Sequence, residues 1–304
     1  MRQFDFLGKT KYFAPVSLLL IAVSIILLLP GVRGLNWGID FTGGMEFTIR
    51  FEEAVPTADL RALLAGVDAG NVDLSTSTIQ DVSERNTKVI TTKLLNVEDD
   101  QRVIDRIEDA IREAFPVVEG GISRKLIGRQ VSQELAEKGW QAILLALGAI
   151  LIYISWRFQL RYAVGAVAAI LHDVLIALGV FALLGVEVNL ATIAAFLTIV
   201  GYSLNDTIVI FDRIRENLKV ERRASVFDII NHSVNQSLSR TLNTSITTFI
   251  PVIILFIFGG SVLRGFSLAL LVGVIVGTYS SMYVANPILN AWASRAKGAA
   301  KRAA

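Results

Sequence analysis

The chain has 304 residues, 53% of them hydrophobic and 18% charged, with a formal net charge of +2 and no cysteine. So apolar a composition excludes an ordinary soluble domain and points to a polytopic membrane protein, yet the charged fraction is too large for spans and short loops alone. The missing cysteines exclude disulfides, thiolate metal sites and thiol catalysis together, and leave the compartment undecided.

A hydrocarbon core of about 30 Å needs about 20 apolar residues as helix. Six stretches qualify, near residues 13–30, 138–156, 162–185, 188–211, 241–259 and 265–288. The first is longer than the usual signal-peptide apolar region and lacks a small-residue cleavage site, so it reads as a retained anchor. Basic residues gather on alternate connections. Arg2, Lys9 and Lys11 precede the first span, and Arg157 and Arg161 join the second to the third. Arg213, Arg215, Lys219, Arg222, Arg223 and Arg240 follow the fourth, and Arg295, Lys297, Lys301 and Arg302 follow the sixth. The intervening short turns carry only Glu187 or Arg264. The positive-inside rule then puts both termini in the cytoplasm and the long segment after the first span on the far side.

That segment has its own period. Met45–Phe51 alternates as a strand, and Pro56–Val67 opens with Pro56 and Thr57 and continues as a helix. Ser77–Val82 and Lys88–Leu95 read as strands around a polar turn with Arg85 and Asn86. Glu98–Phe115 spaces Val103, Ile104, Ile107, Ala110, Ile111 and Ala114 as one helix face, and Val117–Ile122 is a last short strand. The order β-α-β-β-α-β is the split βαβ, ferredoxin-like pattern. The expected fold class is an α-helical membrane protein of six transmembrane helices with one α+β, ferredoxin-like extracytoplasmic domain. The expected divisions are 1–34 for the N-terminus and first span, 35–130 for the domain, 131–290 for a five-helix bundle and 291–304 for a basic tail. The domain's carboxylates read as solvated helix faces, with no active site among them. Gly43–Gly44, flanked by Asp40 and Glu46, reads as a tight turn requiring positive φ.

Polar residues inside the spans carry the functional reading. In the fourth span Asn189, Thr192, Ser203, Asp206 and Arg213 fall near one side, a stripe interrupted by Phe196 and Ile199. A carboxyl in such a position costs about 2.5–3.5 kcal/mol on insertion scales, and residues of this kind usually serve ion or proton movement. Asn205 adjoins Asp206 and is placed to bond a neighbouring span. In the fifth span Arg240, Thr244, Thr247 or Thr248, and Pro251 share a face, a hydroxyl stripe above an arginine. His172–Asp173 falls near mid-membrane in the third span, with a backbone carbonyl as the alternative partner for the histidine. Asp212 is expected at the interface, solvated or paired with Arg213.

Burial favours the neutral carboxylic acid and a guanidinium favours the carboxylate, so Asp206 and Arg240 can couple protonation to helix position. The alternatives are a fixed ion pair and an arginine that only snorkels to the interface. The spacings Gly273–Gly277 and Gly165–Ala169 read as close helix packing. No metal cluster, Walker loop, nucleophile elbow or dinucleotide fingerprint occurs. No metal, cofactor, nucleotide hydrolysis or nucleic-acid partner is therefore expected.

Five segments carry a resemblance: FDFLGKTKYF (4–13), LNWGIDFTGG (35–44), HDV (172–174), SLNDTIVIFDRIREN (203–217) and SLSRTLNTS (237–245). Through them the chain resembles the SecD/SecF family, membrane subunits of the bacterial Sec protein-export machinery related to resistance-nodulation-division exporters. The resemblance implies half of an exporter-type bundle, with SecD as obligate partner supplying the other half. It further implies action beside the SecYEG channel, with YajC as an additional partner and unfolded preprotein as substrate. Late-stage export would be driven by the proton motive force across the inner membrane. Ion coupling is implied at Asp206 and Arg240 together with Asn205 and Thr244, and His172, Asp173 and Asp212 are candidates for a secondary relay. Protons and sodium are not separated. Two other readings stay open: half of an ion-driven small-molecule or lipid exporter, and a scaffold between channel and partner.

Overall fold

A computed structural model describes residues 4–68, 74–81, 86–92, 100–157, 159–221 and 223–303. Of the residues named above, Arg2, Val82, Arg85, residues 93–95 and 98–99, and Arg222 lie outside these, as do the side chains from 295 onward.

The chain begins with helix α1 (Thr10–Leu28), followed by β1 (Asn36–Trp37), the one-turn helix α2 (Ile39–Thr42) and β2 (Gly44–Phe51). Helix α3 (Thr57–Gly66), strands β3 (Thr78–Asp81) and β4 (Thr87–Thr92), helix α4 (Asp100–Ala114) and strand β5 (Val117–Ile127) come next. Then α5 (Arg129–Arg157), α6 (Leu160–Leu184), β6 (Glu187–Val188), α7 (Leu190–Val220) and α8 (Val226–Phe258) lead to α9 (Gly260–Ser280). A π-turn over Ser281–Ala285 joins α9 to α10 (Asn286–Ala303). Among the described residues six stretches are long and apolar enough to cross a membrane: α1, α5, α6, α7, α8 and the run Leu263–Ser294 through the π-turn.

Several helices overrun their expected apolar windows. α7 continues to Val220 and α8 already starts at Val226, because polar sequence does not end a helix that is capped. Ser225 accepts from Asp228 N at 3.1 Å and so satisfies one of the first-turn donors of α8. The N-terminal motif is held against this helix: Asn231 accepts from Phe6 N at 2.8 Å, and Asn235 accepts from Phe4 N at 2.8 Å.

The larger sheet has the order β3-β4-β2-β5 with every neighbouring pair antiparallel, the split βαβ arrangement. Alternation on β2 turns Met45, Phe47, Ile49 and Phe51 inward against Leu60 and Leu64 of α3 and Ile104, Ile107 and Ile111 of α4. β5 runs past Ile122 to Ile127, its backbone ladder continuing opposite Glu46 and Met45. The extension is polar and mostly exposed, so it lacked the alternation that marks a strand. Gly43 and Gly44 have φ of +70° and +147°, and a Cβ on Gly44 would lie 2.4 Å from Thr92 O. The paired glycines are therefore required by both conformation and space. A second sheet was not foreseen. β1 pairs in parallel with β6, Asn36 opposite Glu187 and Trp37 opposite Val188, tying the chain after α1 to the turn before α7.

α6, α7 and α9 form the interior of the bundle, while α1, α5 and α8 present apolar residues such as Leu18, Leu145, Trp156 and Phe258 outward. Small residues set the spacing, as expected. A Cβ on Gly273 would fall 2.2 Å from Ile199 Cγ1, and one on Gly277 would fall 3.2 Å from Ser203 Cβ. A Cβ on Gly165 would fall 2.9 Å from Ala285 O. Gly273→Ala is expected to destabilise the protein by about 1–3 kcal/mol through overpacking, and Ile199→Ala in the same chain to recover part of that loss. Thermal unfolding in detergent across this double-mutant cycle checks it, and strictly additive effects would reject the contact as the cause.

Candidate ion-coupling site

Asp206 sits on α7, 3% exposed, and its Oδ2 has no hydrogen-bond partner among the described residues. Arg240 of α8 lies near enough for its charge to act on Asp206, but among the described residues no hydrogen bond or ion pair joins the two. Arg240 is itself exposed. The geometry is that of a carboxyl and a guanidinium held apart, not of a closed pair.

The neighbouring expectations fare differently. The Thr244 hydroxyl donates to Arg240 O at 2.9 Å, Thr247 to Asn243 O at 2.8 Å and Thr248 to Thr244 O at 2.9 Å. The hydroxyl stripe of α8 is thus bonded to its own backbone, and among the described residues it makes no bond to Asp206. Asn205 is exposed and makes no bond to a neighbouring span among the described residues, since a one-residue step turns it away from the buried face of Asp206. Asp212 is paired with Arg157 of α5 at 3.1 Å and with Arg215 at 3.3 Å, while Arg213 pairs with Glu216 at 2.9 Å. The expected Asp212–Arg213 pair fails because adjacent side chains on a helix diverge, whereas those three apart meet. For the same reason Arg213 is exposed and leaves the polar stripe, whose members Thr192, Ser203 and Asp206 are buried.

A second carboxyl is fully enclosed. Asp173 of α6 is 0% exposed, and its Oδ1 lies 2.9 Å from His172 Nδ1. Ser203 of α7 and Ser280 of α9 both donate to its Oδ2, at 2.5 and 2.8 Å. The His172 ring stacks on Tyr279, whose hydroxyl donates to Phe13 O at 2.9 Å and shares a 2.8 Å bond with Ser17 of α1. His172 Nε2 is buried without a partner among the described residues. Ser203 lies one turn before Asp206 on α7, so the two carboxyls are served from one helix face. The π-turn begins immediately after Ser280, and Asn286 Nδ2 donates back to Ser281 O at 2.7 Å. Such turns are frequent at functional sites because they shift the register of a helix. Tyr202 and Thr278 meet on Ser245 at 3.1 and 2.6 Å, which carries the polar interior across to α8. Sequence reasoning missed Ser280 and Tyr279, since an isolated serine or tyrosine in a span carries no signal of its partner. Among the described residues no group of three or more His, Cys, Asp or Glu is arranged to hold a metal ion.

Asp173→Ala is expected to lower stability by about 1–3 kcal/mol because it takes the partner from the buried Ser203 hydroxyl and from His172 Nδ1, while Ser280 keeps Gly277 O, with Asp173→Asn losing less. Thermal unfolding of both variants measures this, and an unchanged midpoint for Asp173→Ala would show that the cluster stabilises nothing.

The sequence and the fold are both shared with known proteins. Residues 106–295 match the family "Protein export membrane protein SecD/SecF, C-terminal", and residues 29–55 match the "SecD/SecF GG Motif". The protein translocase subunit SecF of Desulfurispirillum indicum is 42% identical over 297 residues, 95% of this chain and 92% of that protein. The crystal structure of SecDF, a translocon-associated membrane protein from Thermus thermophilus, is similar with a TM-score of 0.84 at 38% identity, covering 96% of this chain. This chain spans 39% of that structure's length. A SecDF structure in a super-membrane-facing form gives a TM-score of 0.70 at 36% identity, covering 100% of this chain and 40% of that one.

Proposed function

We propose, since this chain belongs to the SecD/SecF family of protein export membrane proteins, that it converts the proton motive force into assistance at a late stage of Sec-dependent export. Its work in Sec-associated protein export as a multi-pass membrane subunit follows from the family. The driving ion, the stage and the partners are our reading. In it, a SecD-type chain supplies the other half of the bundle, a reading supported by the longer SecDF structures of which this chain matches 39% and 40%. The pair works beside SecYEG, with YajC as an additional partner, on unfolded preprotein emerging from the cytoplasmic membrane. The subunit catalyses no covalent step. The basic connections support cytoplasmic termini, with the domain between α1 and α5 on the outer side.

The observation that carries this reading is Asp206, buried, its Oδ2 without a hydrogen-bond partner among the described residues and Arg240 within electrostatic reach. One proton descending the membrane potential supplies roughly 2.3 kcal/mol per 100 mV. That biases two packings of α7 against α8 without forcing the protein wholly into one. The two SecDF structures support more than one arrangement, since near-equal identities of 38% and 36% accompany TM-scores of 0.84 and 0.70. Asn205 and Thr244 flank the site, and His172, Asp173 and Asp212 are the proposed secondary relay.

Asp206→Asn, assembled with its SecD-type partner and the channel in proteoliposomes, is expected to reduce proton-driven export and ion conductance by about tenfold or more while complex assembly stays intact. Unchanged export and conductance would defeat the proposal and leave a scaffold role. A variant that loses pumping of small molecules or lipids but not protein export would favour the exporter reading.

A further inference from the structure

The junction between the α/β domain and the bundle is made of charges that the coupling site does not use. Asp40 of α2 is 6% exposed, not a solvated carboxylate. Its Oδ1 lies 2.9 Å from Lys125 Nζ of β5, and its Oδ2 accepts from Leu190 N at 2.9 Å. Leu190 is the first residue of α7, so one carboxyl fastens the domain sheet to the N-terminus of the helix that carries Asp206. The helix dipole favours a negative group in that place. The chain on either side reinforces the fastening. β1 pairs with β6, and Gly38 N donates to Val188 O at 2.9 Å. A Cβ on Gly38 would lie 2.3 Å from Glu187 Oε1, so the Glu187 carboxyl is laid directly over the junction.

Two further carboxyls share the ammonium of Lys125. Glu46 of β2 and Glu187 of β6 are both half-buried. Burial pushes the Glu46 carboxyl above its ordinary range, with Lys125 opposing and Asp40 adding to the rise. Burial also pushes Glu187 up, the charges of Glu46 and Asp40 add to it, and Lys125 and the backbone N–H of Ile39 oppose. The other charges on the elements packed here have their own places. Arg124 of β5 faces Asp105 at 3.5 Å, Glu134 and Lys138 of α5 pair with each other, and Arg33 donates to Leu183 O. Arg264 of α9 lies over the Phe256 ring at 5.9 Å, and Arg129 opens α5 beside the Gly43 turn.

We propose that Asp40, Glu46, Glu187 and Lys125 form a proton-sensitive clasp between the α/β domain and the N-terminus of α7, with Asp40 as the positioning residue for that helix. Each glutamate holds its proton more tightly in the closed clasp than it does in water. Closure therefore takes up protons, is favoured in acid, and is lost as pH rises through the closed-state values. The clasp does not depend on ion coupling at Asp206, and its test reads geometry alone.

The chain has no cysteine, so spin labels at Asp59→Cys on α3 and Leu184→Cys at the end of α6 report the separation of domain and bundle without background. The measurement is the distance distribution by pulsed electron resonance, on the full chain with its partner in nanodiscs, at about pH 5.5 and about pH 8.5, either side of the range where raised carboxyls titrate. The expected result is one short population in acid and a second, longer population in alkali. Glu46→Gln with Glu187→Gln is expected to keep the short population at both pH values, and Asp40→Asn to show the longer one at both. A parent distribution that ignores pH overturns the proposal, as does a pH response that survives in the double glutamine variant. An Asp40→Asn chain that behaves as the parent removes Asp40 from the clasp.

Discussion

A carboxylate inside a membrane bundle has no water to turn to, so its donors must come from the protein, and the interior of this one is arranged around that requirement at Asp173. Two serine hydroxyls donate to it from α7 and α9 and His172 Nδ1 of α6 lies 2.9 Å away, and the serines reach it because the helices approach closely. Gly277 is the position that permits this: a Cβ there would stand 3.2 Å from Ser203 Cβ and 3.6 Å from Asp173 Oδ2. Gly165 and Gly273 extend the same close approach along the helices. The π-turn after Ser280 then shifts the register for α10, leaving Asn286 buried beneath it. Small residues, hydroxyl donors and the buried carboxyl thus form one solution.

Asp206 shows what happens when the same requirement goes unmet at Oδ2 among the described residues. A buried polar atom without a partner costs about 1–3 kcal/mol, and one ion crossing 100 mV of potential supplies roughly 2.3 kcal/mol. These are equal in scale, so a packing change at Asp206 is within reach of a single ion. Asp173 is different, because moving α7 or α9 away from it would break bonds of 2.5 and 2.8 Å to a fully enclosed group. In the proposed function the first carboxyl is therefore the place where helices shift, while the second, a member of the secondary relay, holds α6, α7 and α9 together.

Much of this was legible in the sequence, for identifiable reasons. The spans, the order of strands and helices in the α/β domain and the glycine contacts rest on local period or short spacing, and all appear. Asp206 declared itself by being a carboxyl in an apolar run. What escaped was non-local or too short to have a period. Ser203 and Ser280 are 30 and 107 residues from Asp173, and nothing in their neighbourhoods names that partner. β1 and β6 have two residues each, below the length at which alternation means anything. The Asp40–Leu190 bond crosses 150 residues, so Asp40 looked like one more residue beside a glycine turn. The Asp212–Arg213 pairing was an error of a different kind, in which adjacency in sequence stood in for adjacency on a helix.

These pieces meet on α7. With 31 residues it is about 46 Å long at 1.5 Å per residue, and it touches the junction, both buried carboxyls and the Asp212 ion pair. Asp40 holds its first backbone N–H, Ser203 and Asp206 occupy the middle, and Asp212, about two turns before its end, pairs with Arg157. α7 has neither proline nor a π-turn in its length, two of the usual causes of a sharp kink. In the proposed scheme a tilt at Asp206 is carried along α7 to Leu190, about 24 Å away. There the helix meets the α/β domain through one buried carboxyl and one lysine. In the proposed scheme α7 is a lever with the ion site along its shaft and the domain at its tip. The junction at Asp40 then decides whether movement in the bundle is transmitted to the domain or lost before it arrives.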